Sequence, residues 1–273
     1  TRAVFALSSV KEPSRPGEYP IFVFNPNPYK VVDTVECEFM LQDQNWSDEL
    51  YSKLTVFDEK GNEVKHQVIK EESNLNLDWR KRIAFNAELE PLSLNRFSVY
   101  VEFEKIKEHK KINSLVFDDG RKHVEIDEKT GLLKSYSING IEYVKNGFQL
   151  VEFQDNSDPW GMSEAQQKRL GVNEKAFTLS EKPSGVFKNM KSIQITEDGE
   201  IFLGVEAFFE SENTRAVIKY KIYKLNDDVD VDVTLFMGDI DKIIKEYNPE
   251  EEENINWGVT LQDRETEHII LNV

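Results

Sequence analysis

Hydrophobic and polar positions alternate along most of this chain. Val35-Cys37-Phe39-Leu41, Ile83-Phe85-Ala87-Leu89 and Phe97-Val99-Val101-Phe103 show the pattern early, and Ile218-Tyr220-Ile222 and Val229-Val231-Val233-Leu235 repeat it late. Residues two apart in an extended strand share a face, so each run predicts a strand with one face buried and one wet. That pattern belongs to antiparallel sheets, because parallel strands covered on both faces read as continuous apolar runs. Turn signals separate the runs: Asp58-Glu59-Lys60-Gly61-Asn62, Asp127-Glu128-Lys129-Thr130-Gly131 and Asn226-Asp227-Asp228. Each supplies Gly, Asn or Asp where a tight hairpin needs a positive φ. Helical periodicity is confined to two short stretches, Met162 to Leu170 and Ile240 to Tyr247. The predicted fold class is all-β.

One stretch interrupts the alternation. Glu104-Lys105-Ile106-Lys107-Glu108-His109-Lys110-Lys111 is charge-rich and follows a strand ending at Phe103, which predicts a domain boundary. Residues 1–105 then form a small Ig-like β-sandwich, and residues 106–273 a larger β-domain. Asn248 to Asn256 carries Glu250 through Glu253 in a row, a run of like charge that predicts a solvated loop.

Composition changes the picture in two ways. Hydrophobic residues are 39% and charged residues 31% of the chain, yet 17 Phe, 9 Tyr and 4 Trp supply large buried areas for a core. Net charge is −17, from 51 acidic against 34 basic residues, and no basic cluster interrupts it. Such a surface repels phosphate backbones and excludes nucleic acid as an expected partner. Cys37 is the only cysteine, so there is no internal disulfide and no Cys-rich zinc site, and its place in an alternating run predicts a buried structural thiol. Thr1-Arg2-Ala3-Val4-Phe5 lacks the apolar region of a signal peptide, and no segment approaches the ~18 apolar residues of a membrane span. The expectation is a soluble chain with no membrane partner, in a reducing cytoplasmic setting.

Candidate chemistry is sparse. His66, His109, His123 and His268 are scattered, with no spacing that places two metal ligands on one element. There is no Gly-x-Ser-x-Gly elbow and no glycine-rich phosphate loop. Carboxylate pairs of the kind glycosidases use are too common among 51 acids for composition to nominate one. One segment stands apart. Phe148 to Phe153 reads as a strand that runs into Asp155-Asn156-Ser157-Asp158-Pro159-Trp160. Carboxylates and an amide bind sugar hydroxyls, and an indole offers an apolar face to a pyranose ring; Asp155, Asn156, Asp158 and Trp160 are therefore the candidate site residues. The same residues also suit turn caps and a plug at a sheet edge, and local chemistry leaves both readings open.

That segment, continued through Gly161-Met162, resembles a motif in the C-terminal β-region of bacterial glycoside hydrolase family 38 α-mannosidases. Ile21-Phe22-Val23-Phe24-Asn25-Pro26-Asn27-Pro28-Tyr29 resembles the start of that region's first β-domain. Leu89-Glu90-Pro91-Leu92-Ser93-Leu94-Asn95-Arg96-Phe97 is similar to the approach to its last strand. His123-Val124-Glu125-Ile126-Asp127 through Thr130-Gly131-Leu132-Leu133 resembles the start of its large domain. The four segments follow the family's order over residues 21 to about 162, and beyond residue 240 the likeness fades.

The resemblance implies a small sandwich followed by a mutarotase-like supersandwich. It implies a parent enzyme that retains configuration, using an aspartate nucleophile, an acid/base aspartate and a divalent metal, normally zinc. In that family these groups lie in an N-terminal α/β domain followed by a helical bundle, so this chain is expected to hold no cofactor and no catalytic residue. Its expected partners are those two domains and, through them, an α-mannoside; the Asp155 to Trp160 loop would face the sugar pocket or the contact between domains. Two other readings stand beside this one. A free-standing carbohydrate-binding module would display aromatics such as Trp46, Trp79 or Trp257, and an aldose mutarotase would need a His motif that is not found around His123 or His268. Apolar surface that faces other domains in a parent enzyme would also favour self-association.

Overall fold

The computed structural model describes residues 13–71, 78–106, 114–154, 174–180, 191–211, 214–236 and 267–272. These residues are all-β, with antiparallel sheets and no helix, in agreement with the alternation of the sequence. Among them no helix is long and apolar enough to cross a membrane. The two helical candidates, Met162 to Leu170 and Ile240 to Tyr247, and the Glu250–Glu253 run lie outside the described residues.

Two compact units make up the chain. The first comprises Thr1–Ile112 together with Glu197–Leu203 and Tyr223–Asp228; the second comprises Asn113–Thr196, Gly204–Ile222 and Val229–Val273. Two segments that follow the 105/106 boundary in sequence thus pack within the first unit. Gln67 shows how: its Oε1 accepts hydrogen bonds from the backbone N–H of Ile201 and of Phe202, at 3.1 and 3.0 Å. Ile69, Ala84, Ile201 and Phe202 form a small buried cluster beside them.

In the first unit, β1 (Glu18–Asn25), β7 (Ser93–Lys105), β3 (Leu50–Phe57) and β4 (Glu63–Val64) form one sheet in that order. A second sheet runs β2 (Val31–Met40), β6 (Arg80–Leu89), β5 (His66–Ile69). Their inner faces meet at Leu54, Val56, Ile83, Phe85, Ala87, Leu89, Phe97 and Val99, and the rings of Phe85 and Phe97 lie 4.8 Å apart. The alternating residues of β6 and β7 are therefore the core of this unit. Alternation runs past the core, however: Phe103 near the end of β7 is 45% exposed. Cys37 is part-buried against the same core, and burial pushes its thiol up to about 11, so it stays protonated and inert at neutral pH.

Two buried asparagines close this sandwich at one end. Asn25 Nδ2 donates to the carbonyls of Tyr29 and Leu89, and its Oδ1 accepts from Asn27 N–H. Asn95 Oδ1 accepts from Glu90 N–H, while its Nδ2 donates to the carbonyls of Val23 and Ser93. An amide side chain carries both donors and acceptors, so each can bridge loop groups that no ladder reaches. Both lie in segments that carry the family resemblance.

The second unit opens with a meander: β11 (Ile141–Gly147), β10 (Leu133–Ile138), β9 (Lys122–Ile126) and β8 (Val116–Asp118) form a sheet in that order. The turn from β9 to β10 is the Asp-x-x-Thr-Gly segment. Asp127 Oδ1 accepts from the N–H groups of Lys129 and Thr130, and these backbone donors hold its carboxyl below the usual range. Gly131 has φ of +72°, and a Cβ there would sit 2.8 Å from Leu179 and 3.1 Å from Ala207. Only glycine fits both the backbone and the space. Its carbonyl accepts a hydrogen bond from the buried Tyr220 hydroxyl at 3.0 Å.

Among the described residues, two further sheets lie wholly or mostly in the second unit. One is β13 (Glu174–Ala176), β12 (Gln149–Gln154), β19 (Glu267–Asn272). The other runs β14 (Thr178–Leu179), β16 (Phe202–Glu210), β17 (Arg215–Tyr223), β18 (Val229–Phe236), with β15 (Ile193–Asp198) also paired to β16. Val205, Ala207, Phe208 and Phe209 of β16 and Ala216, Val217, Ile218, Tyr220 and Ile222 of β17 are all buried. The alternating valines of β18 are only half-buried, and Leu235 and Phe236 at its end are exposed.

Candidate functional site

Asp155, Asn156, Asp158 and Trp160, the residues singled out by sequence, lie outside the described residues. The strand that leads to them is described. β12 pairs on one side with β13, Glu152 opposite Lys175, and on the other with β19, Glu152 opposite Ile269. Gln149 Nε2 donates to the carbonyls of Leu150 and Phe177, which fastens the start of the strand. Glu152 is 4% exposed. Its Oε1 accepts a long hydrogen bond from the Thr214 hydroxyl at 3.4 Å, and its Oε2 has no partner among the described residues. Sequence reading passes over this residue, because a lone Glu in a strand looks like any other surface acid.

Of the histidines, His66 has both ring nitrogens against backbone carbonyls, Nδ1 at 2.9 Å from Val64 O and Nε2 at 2.8 Å from Leu54 O. The ring is thus committed to joining β3 and the β4–β5 corner. His123 Nδ1 faces Asp118 Oδ2 at 3.0 Å on an exposed edge. Among the described residues, no group of three or more His, Cys, Asp or Glu side chains is arranged to hold a metal ion.

A concave site does occur in the first unit, on the outward face of the β1-β7-β3-β4 sheet. It is a cleft of about 550 Å³ whose wall includes Arg15, Phe57, Asp58, Glu59, Arg96 and Tyr100. Register explains it. β3 stops at Phe57, opposite Ser98 of β7, so the next outward amide of β7 has no strand to bond. Glu59, in the turn that follows, takes it: Arg96 N–H donates to Glu59 Oε1 at 2.9 Å. Asp58 shapes that turn. Its Oδ1 accepts from Lys60 and Asn62 N–H and its Oδ2 from Asn62 Nδ2. Burial alone would raise the Asp58 carboxyl, but the hydrogen bonds from Asn62 and Lys60 outweigh it and hold the group below its ordinary value.

Arg96 of the cleft wall belongs to a buried ion pair. Arg96 Nη2 donates to Glu18 Oε1 and Oε2 at 2.8 and 2.7 Å, and the two side chains are 10% and 0% exposed. Ser98 Oγ donates to Glu18 Oε1 at 2.5 Å, and Arg15 N–H donates to Oε2 at 2.6 Å. Burial pushes the Glu18 carboxyl up; the Arg15 amide, Ser98 hydroxyl and Arg96 guanidinium together bring it below the usual glutamate range. The Arg96 guanidinium also sits 5.8 Å over the Phe22 ring. The carboxylate has a matched donor on every side, as a desolvated charge requires.

The third candidate is aromatic. Trp46 is 75% exposed and packs edge-on to Trp79, 4.7 Å between ring centroids. Its loop is pinned: Asn45 Nδ2 donates to Leu50 O and Asp78 Oδ2, and Ser47 N–H donates to Asn45 Oδ1. Asp78 also accepts from Ser52 N–H and Oγ and pairs with Lys81. Trp79 is half-buried, and its indole N–H is buried with no partner among the described residues. Of the two described tryptophans, only Trp46 offers a ring face to solvent; Trp257 lies outside the described residues. No protein-family model and no curated protein matches this chain.

Proposed function

We propose that this chain is the non-catalytic C-terminal β-region of a retaining, metal-dependent α-mannosidase, supporting the catalytic domain and helping to close its sugar pocket. The observation that carries this reading is the order of four sequence segments that resemble the family. Three of them have a structural reason to hold their residues: Asn25 and Asn95 bridge loop groups in the small sandwich, and Asp127 with Gly131 builds the β9–β10 turn. Residues that hold turns do the work of a scaffold, and a scaffold needs no nucleophile of its own. In this reading the aspartate pair and the metal, normally zinc, belong to the preceding catalytic domain, and the partners of this chain are that domain, its helical bundle and the bound mannoside. The Asp155 to Trp160 loop, reached by β12, is the part assigned to the pocket or the domain contact, in a cytoplasmic enzyme.

The test is to express the full natural reading frame and assay aryl α-mannoside hydrolysis with and without chelator. Chelator-sensitive hydrolysis by the full frame and none by residues 1–273 alone is the expected result; hydrolysis by these residues alone would sink the proposal. In the full enzyme, Asp158→Ala or Trp160→Ala with unchanged KM, kcat and folding would remove the pocket role. A second reading, a carbohydrate-binding module, is favoured by the exposed ring of Trp46 on its fixed loop. Glycan titration separates the two, since saturable binding lost in Trp46→Ala supports the module.

A further inference from the structure

We propose that the cleft beside the Glu18–Arg96 pair is a binding site for a neutral polyhydroxylated ligand, the pyranose ring of a saccharide. Three features select that chemistry. Its volume, about 550 Å³, lies within the ~300–1,000 Å³ of small-molecule sites. Its wall carries both signs of charge: Arg15 and Arg96, the latter paired with Glu18, share the lining with Asp58 and Glu59. An inorganic anion would meet the carboxylates and a cation the guanidiniums, whereas hydroxyl groups, which donate and accept, satisfy both. Phe57 and Tyr100 form an edge-to-face pair, ring centroids 5.9 Å apart, and give the wall an apolar patch for the C–H face of a ring.

The site is also pre-organised. Arg96 is locked to Glu18, Asp58 is locked by its own turn, and Glu59 holds the Arg96 amide. Binding therefore orders few side chains, which keeps its entropic cost low. Arg15 is exposed and has no side-chain partner among the described residues, which makes its guanidinium the arm that closes over a ligand. The inference is independent of the mannosidase reading, because it concerns a site in the first unit and no bond cleavage.

The experiment is a ¹⁵N-resolved titration of the whole chain with methyl α-mannoside, methyl β-glucoside and methyl β-galactoside, and with inorganic phosphate. At least one glycoside is expected to shift the backbone amides of residues 57–62 and 96–100 saturably, while phosphate leaves them unmoved. Arg15→Ala, an exposed change that spares the fold, is expected to weaken binding about tenfold, ~1.4 kcal/mol. Tyr100→Phe keeps the ring and is expected to cost less. The proposal is overturned by phosphate saturating the same amides, by glycoside shifts that map elsewhere, by no saturable shift with any of the three, or by Arg15→Ala binding as tightly as the parent chain.

Discussion

Each unit of this molecule buries a glutamate in a β-strand, and treats it differently. Glu18 in β1 accepts hydrogen bonds from Arg96, Ser98 and the Arg15 amide, and its side chain is fully enclosed. Glu152 in β12 is nearly as buried but, among the described residues, has one long bond from Thr214 and an oxygen with no partner. A buried acceptor without a partner costs about 1–3 kcal/mol, so Glu152 carries a deficit that Glu18 does not. The polar centre of the first unit is complete in itself. The strand that leads to Asp155 is not.

The largest expected effect breaks the comparison from the Glu18 side. Arg96→Met keeps the length of the side chain and removes the cation, stranding an enclosed carboxylate; a loss of about 3–5 kcal/mol in urea denaturation is expected. Ser98→Ala removes one donor to the same charged group and should cost about 1.5–3 kcal/mol. Acid sharpens the same point. The folded Glu18 carboxyl lies below its ordinary value, so its contribution is fully present above the unfolded value of about 4.3 and is lost as pH falls through the folded value. Thermal melts from neutral pH downward should show that loss beginning near pH 4, and Glu18→Gln should flatten this part of the slope. The smallest effect is expected at the other carboxylate. Glu152→Gln keeps the shape of the side chain and breaks no ion pair found among the described residues, and should change stability by less than about 1 kcal/mol, in either direction. A loss on the scale of Arg96→Met would mean that Glu152 is as well matched as Glu18, and the contrast would fail.

The difference also marks where sequence is legible. Alternation reports local geometry, so β6 and the middle of β7 were readable: Ile83, Phe85, Ala87, Phe97 and Val99 are core residues in the structure as in the pattern. The Asp127 to Gly131 turn was readable for the same reason, since its hydrogen bonds span only a few residues. Arg96 was not. It occupies a polar position on an outward face, and its partner Glu18 lies 78 residues away; no local period reports a pairing across that distance. Trp46 shows the opposite failure. Its size favours burial, yet a loop braced by Asn45 and Asp78 holds the ring in solvent. The half-buried valines of β18 show that period predicts which way residues face and leaves the depth of cover undetermined.

The β1–β7 ladder has a consequence for how the chain is made. Glu18 pairs with Tyr100 and Asn25 with Ser93, so the first described strand waits for one of the last strands of its unit. Closing so long a loop costs entropy before any contact repays it, and non-local pairing of this kind slows folding. During synthesis β1 leaves the ribosome well before its partner exists, its edge groups and the Glu18 carboxylate still bound to water. The sandwich, its buried ion pair and the cleft beside it arrive together, in one late step, when β7 emerges.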